Sequence, residues 1–176
     1  PESFIFSEDS MIKVRPAFNS DITVINEIYN YYVENSNVTL DVGLRCKTEG
    51  MNWLHQHKIA SLPILVAEVN SAIKGWVSLS KLSAKSGYDT SAEISIYVSP
   101  DRQGKGIGKD LFETVLRKAE EIGLHCIVAR ISGGNEASIN FFERNAFEHV
   151  GIEREIALKF NKFVDVIVMQ RLLISG

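Results

Sequence analysis

The sequence predicts an α/β domain built on one mixed sheet with helices on both faces, in the order β-α-α-β-β-β-α-β-α-β-β. Three observations carry this. Short apolar runs of strand type alternate with longer segments of helical period. One strand-like run ends at Pro100 and passes through a glycine cluster into a strongly amphipathic helix. And 176 residues, 45% of them apolar and 23% charged, suffice for about one domain with a full hydrophobic core.

The elements follow in order. Residues 1–10 carry Glu2, Glu8 and Asp9 and lack the basic-then-apolar pattern of a signal peptide. They read as a loose extension or remnant before a domain spanning 11–176. Met11 to Ala17 is extended, with Ile12 and Val14 on one face. Asn19, Ser20 or Asp21 can cap a helix reaching about Val33, with Ile25, Ile28, Tyr29 and Tyr32 at helical spacing. A second helix is expected over Thr48 to Lys58, with Trp53 and Leu54 inward. Ile64 to Val69 and Ile73 to Leu82 read as strands joined by a tight turn at Asn70-Ser71. Ala92 to Val98 is the next strand. The helix over Gly106 to Ile122 carries an apolar stripe from Ile107 through Ile122, with Gly123 and Leu124 as its C-terminal signal. Cys126 to Ile131 is a buried strand. Asn135 caps a last helix, and two strands, His149 to Ala157 and Val164 to Leu173, finish the chain.

Composition excludes several functions. A net charge of −3 argues against a general nucleic-acid-binding surface. No run of 18 apolar residues exists, so no membrane span is expected. Cys46 and Cys126 supply neither a disulfide framework nor a four-cysteine zinc site, and a reduced, cytoplasmic setting is the default. His55 and His57 are two apart on a helix and share no face, so no metal site is expected.

The chemistry concentrates in Gln103-Gly104-Lys105-Gly106-Ile107-Gly108, between a strand and a helix. Glycines let a backbone approach a ligand closely. The first N–H groups of a helix lack partners and point outward, where the helix dipole favours an anion, so the segment suits a pyrophosphate. Arg102, Lys105 and Lys109 add charge. Neither a P-loop nor a dinucleotide fingerprint fits. Lys109 is followed by Asp110 rather than Ser or Thr, and the third glycine interval is wrong.

Gln-x-x-Gly-x-Gly after Tyr97-Val98-Ser99-Pro100 resembles the acetyl-CoA pyrophosphate loop of the GNAT superfamily of N-acetyltransferases, and the similarity covers about Ile12 to Leu173. Within it, Ile28 to Val33, Val38 to Asp41, Gly75 to Ser80, Glu93 to Val98, and Lys159-Phe160 with Phe163, Asp165 and Val166 resemble the phosphinothricin and methionine-sulfoximine acetyltransferases. The resemblance implies a GNAT fold and direct transfer of acetyl from acetyl-CoA to an amino group. The acceptor implied is a small amino-acid-like amine, and no metal is required. It implies that coenzyme lies between two splayed strands, Ala92–Val98 and Cys126–Ile131. Ile96, Tyr97 and Val98 would hold the pantetheine, the 103–108 loop the diphosphate, and Asn135 the pantetheine arm. Glu93 aligns with the general base.

Phe142 stands where relatives carry Tyr or His; it can pack on coenzyme but cannot donate a proton to the leaving thiolate. Tyr32, Leu40, Lys85 and Tyr88 fall at acceptor-binding positions. Ser83 and Lys85 replace two arginines of relatives, so the acceptor stays open. A protein N-terminus, another amine, or a coenzyme-binding module with little catalysis are the alternatives. Ala146 replaces a glycine of relatives, and Asn145 is expected to take the left-handed position instead. The resemblance also implies a homodimer.

Overall fold

The computed structural model describes residues 11–173, so the expected extension over residues 1–10 lies outside the described residues. Seven strands form one sheet: β1 (Ile12–Pro16), β2 (Ile64–Val69), β3 (Ala72–Lys81), β4 (Ser91–Val98), β5 (Cys126–Ser132), β6 (Glu148–Lys159) and β7 (Lys162–Leu172). Four helices cover it: α1 (Ile22–Asn35), α2 (Lys47–Ala60), α3 (Ile107–Glu121) and α4 (Glu136–Arg144). The element order is the one read from the sequence. The sheet order is β1-β2-β3-β4-β5-β7-β6, and only β4 and β5 run parallel. Among the described residues no helix is long and apolar enough to cross a membrane.

Strand alternation divides the core in two. Leu65, Val77, Leu79, Ile94, Ile127 and Met169 face α3 and α4, where Leu111, Phe112, Phe142 and Phe147 cover them. Val66 and Trp76 face the other way, against Ile22, Ile25, Tyr29 and Leu54 of α1 and α2. Burying each such side chain fully contributes about 1.5–3 kcal/mol, so both faces weigh heavily in stability. Gly75 lets α3 sit close to the sheet: a Cβ there would lie 2.9 Å from Ile107 Cγ2.

Local chemistry sets the boundaries. Of the three candidate cap residues before α1, Asp21 reaches back and accepts the Phe18 N–H at 2.7 Å, but α1 itself has no side-chain cap. α2 opens where Glu49 accepts the Cys46 N–H at 2.7 Å. Asn70 and Ser71 both adopt positive φ, 50° and 64°, giving the tight turn. The last hairpin is longer than expected, because Phe160 and Asn161, φ 49° and 57°, make an equally tight turn.

Two expectations fail. Ile122, counted in the apolar stripe of α3, is 45% exposed, because the helix ends at Glu121 and the chain turns into Gly123 at φ 79°. At the end of α4 it is Ala146, not Asn145, that takes the left-handed conformation, with φ 60° against −101°. Asn145 is held by its side-chain amide, which donates to Phe141 O at 2.8 Å.

Candidate active site

The site begins where a ladder stops. β4 and β5 pair only at Ser91↔Cys126, Ala92↔Ile127 and Glu93↔Val128. Beyond Glu93, β4 stays paired to β3 as far as Val98, and β5 stays paired to β7 as far as Ser132. The two parallel strands therefore diverge, and Ile94 to Val98 present one main-chain edge with no strand beside it. Buried main-chain groups of this kind need partners. A small cavity of about 50 Å³, lined by Ile94, Ser95, Ile96, Ala129, Arg130 and Ile131 among others, lies in the gap.

A groove of about 530 Å³ opens from this gap toward the start of α3. Ile96, Tyr97, Val98, Gln103, Gly104, Gly106, Ile107, Gly108, Asn135 and Phe142 all line it; Lys105 does not. Gly104 and Gly106 adopt φ 71° and 84°, a region costly for any residue with a Cβ. No side chain caps α3. Its first N–H groups are therefore free to meet an anion, with Arg102 and Lys109 on the same wall. Gly108 brings the helix near Val98, where an added Cβ would lie 3.8 Å from Val98 Cγ2. Asn135 Oδ1 accepts the Ser138 N–H at 3.3 Å, which caps α4 beside the groove. Phe142 is buried and packs edge-on to Phe141 and Phe147. The donor set fits a coenzyme A molecule: amides for a diphosphate, an open strand edge for an amide-bearing arm, and apolar walls.

Tyr32, expected at the acceptor, also lines this groove. Its hydroxyl donates to Val98 O at 2.5 Å and accepts from Gln103 Nε2 at 2.7 Å. It ties α1 to both the strand end and the glycine loop, and burial pushes its phenol pKa up.

A second cavity, about 370 Å³, lies on the α1–α2 face of the sheet. Glu93 and Leu40 line it, with Ser95, Tyr97, Arg130, Ser132 and Glu153. Glu93 is half-buried, and that burial raises its pKa, Arg130 opposing and Glu153 adding to the rise. Arg130 Nη2 donates to Glu153. Val38 borders all three cavities, so its loop forms the partition between them. That loop is pinned twice. Buried Lys159 donates to Thr39 O at 2.6 Å, and Tyr29 Oη lies 2.8 Å from Thr39 Oγ1. Burial and the Asp41 carboxylate push the Tyr29 phenol up to about 12. Lys85 and Tyr88 sit on an exposed turn over 85–89 and border none of these cavities.

Arg130, Ser132 and Glu153 were not singled out from the sequence, and Thr39 and Lys159 entered only inside segments that carry the resemblance, with no role assigned. A signal existed for the first two: they are the polar, alternating positions of an otherwise apolar strand. No local pattern shows that Lys159 and Thr39 meet, across 120 positions.

The acetyltransferase (GNAT) family model matches residues 25–147, most of the chain and all of the groove-forming segment. The chain belongs to the GNAT acetyltransferase family. This N-acetyltransferase, with acetyl-CoA as donor, is 32% identical over 163 residues to a phosphinothricin N-acetyltransferase of Streptomyces coelicolor, covering 91% of this chain and 95% of that one. It is 29% identical to the L-methionine sulfoximine/L-methionine sulfone acetyltransferase of Salmonella typhimurium, over 89% and 92% of the two chains. The acetyltransferase also superposes on a phosphinothricin acetyltransferase of Sinorhizobium meliloti solved with acetyl-CoA, with a TM-score of 0.89 at 28% identity over 92% and 88% of the chains.

Proposed function

We propose that this enzyme transfers the acetyl group of acetyl-CoA directly to the amino group of a small amino-acid-like acceptor of the phosphinothricin, methionine sulfoximine or methionine sulfone class, with Glu93 as general base. The observation that carries this is the position of Glu93. It is the last residue of the parallel ladder, at the gap, and it lines the 370 Å³ cavity on the face that also bears Ser95 and Tyr97. The names of the Streptomyces and Salmonella relatives support the acceptor class.

The coenzyme supplies an acetyl thioester when bound. The protein's own groups do the rest. Amides at the start of α3 and the loop before it would hold the diphosphate, and the open edge from Ile96 to Val98 would hold the pantetheine arm. An N–H of that edge would be available to the acetyl oxygen, where such a donor is worth up to a few kcal/mol as charge develops. An ammonium is not a nucleophile, so Glu93 removes its proton, a contribution of about 10²–10⁴-fold. Arg130 keeps the half-buried carboxylate ionised enough to act. With Phe142 unable to donate, the leaving thiolate would take its proton from water or from a tyrosine, of which Tyr97 lines the groove and Tyr88 does not. Leu40 shapes the acceptor cavity, while Lys85 and Tyr88, on a turn that borders none of the cavities, take no part in it.

We also infer a homodimer formed through β6. This 12-residue strand is a sheet edge and exposes Val150, Ile152, Ile156 and Leu158. Such an edge invites an antiparallel copy of itself. Sedimentation should give twice the monomer mass of 19.7 kDa.

The direct test mixes purified enzyme, acetyl-CoA and a panel of amines and follows free thiol. Thiol release with methionine sulfone or phosphinothricin is expected. Release only with peptides or polyamines would reject the acceptor class, and coenzyme binding without release on any amine would reject catalysis.

A further inference from the structure

We propose that Arg130 and Ser132 of β5 form the subsite that holds the acceptor's carboxylate. This rests on the reading of the acceptor as an amino-acid-like amine.

The strand reads Cys-Ile-Val-Ala-Arg-Ile-Ser. Ile127, Ala129 and Ile131 turn into the core beneath α3, so Arg130 and Ser132 share the opposite face, the one that bears Glu93. Both line the acceptor cavity, and Arg130 also lines the gap between the strands. Arg130 is the one lysine or arginine lining the acceptor cavity among the described residues.

An unpartnered buried hydroxyl points to a ligand, and a cation beside it is open to the same cavity. Ser132 is only 3% exposed, yet its Oγ has no hydrogen-bond partner among the described residues. Buried hydroxyls are normally satisfied, and an orphan one is costly. Arg130 makes a single hydrogen bond among the described residues, from Nη2 to Glu153. A guanidinium has five N–H donors, and with this side chain 44% exposed the others are open to solvent and available to an entering anion. Glu153 reaches it because the register Ser132↔Val166↔Glu153 carries β6 onto the same face.

A two-oxygen anion meets both needs, with one oxygen on the guanidinium and the other on the Ser132 hydroxyl. It also solves an electrostatic problem. Glu93 and Glu153 already make the cavity acidic, and a carboxylate could enter only beside a cation. The amine of an α-amino acid is one carbon from its carboxylate. With the carboxylate at Arg130, the amine falls toward Glu93, whose ladder partner Val128 is the preceding position on the same face.

The test compares methionine sulfone, whose only anion is its α-carboxylate, with its methyl ester. Arg130→Gln should lower the acid-to-ester ratio of kcat/KM about 10–100-fold, as expected for losing a hydrogen bond to a charged group, and Ser132→Ala about 3–10-fold. Glu153→Gln, which releases Arg130, should raise the ratio. Acetyl-CoA affinity by calorimetry checks folding. If Arg130→Gln fails that check, Arg130→Lys and Ser132→Ala decide by the same ratio. A ratio unmoved in the folded variants, with wild type acetylating methionine sulfone, overturns the subsite alone. Wild type that acetylates only carboxylate-free amines overturns the acceptor class and the subsite with it.

Discussion

The two halves of the cleft are built from different materials. The groove we assign to coenzyme relies on main chain where it would meet the diphosphate and the arm: an open strand edge, a glycine loop and an uncapped helix start. The cavity we assign to the acceptor relies on polar side chains of the 38–40 loop, β4, β5 and β6. Main-chain sites depend on φ values that few residues adopt, so they tolerate little substitution and bind one ligand. Side-chain sites can be rewritten residue by residue while the fold stays. Changes in the first half should therefore act on coenzyme, and changes in the second on the acceptor.

The largest expected effect tests whether the halves meet at Glu93. Glu93→Gln should lower kcat about 10²–10⁴-fold, with acetyl-CoA affinity within about twofold of wild type by calorimetry. A parallel loss of coenzyme binding would show that Glu93 belongs to the groove instead. Next, Gly106→Ala forces an L residue to φ 84°. At a cost of about 1–2 kcal/mol, the acetyl-CoA dissociation constant should rise about 5–30-fold while acceptor KM stays put. No neighbour lies within 4 Å of the added Cβ, so a loss would report backbone strain and not a clash.

Lys159→Met probes the partition. It leaves Thr39 O without its buried donor, which costs about 1–3 kcal/mol. Acceptor KM should rise several-fold in steady-state assays, with coenzyme KM unchanged. The smallest effect lies outside the cleft. Ala146→Gly relieves φ 60° at the end of α4 and should stabilise by about 0.5–1 kcal/mol, raising Tm by about 1–4 °C.

The same division decided what could be read from the chain. The groove was legible because its determinants are local. Three glycines, a Pro-terminated strand and Asn135 before a helix each specify their own backbone. Of the residues expected to bind acceptor or take its proton, the structure brings only Glu93 and Leu40 to the 370 Å³ cavity. The Arg130–Glu153 pair depends on how β6 crosses its irregularity between Glu153 and Ala157, which no local pattern encodes. Tyr32 shows the limit within one residue. Its helical spacing placed it on the buried face of α1, but only the packing of that helix against Val98 and Gln103 puts its hydroxyl in the coenzyme groove.

The most direct measurement is the pH dependence of kcat for wild type and Glu93→Gln on a turned-over acceptor. Burial raises the Glu93 pKa, so the protonated, inactive form persists above the ordinary glutamate value of about 4.3. Wild-type kcat should accordingly fall on the acid side along a limb lying above that value, and the limb should vanish in the variant. An identical limb in both proteins would contradict Glu93 as the base.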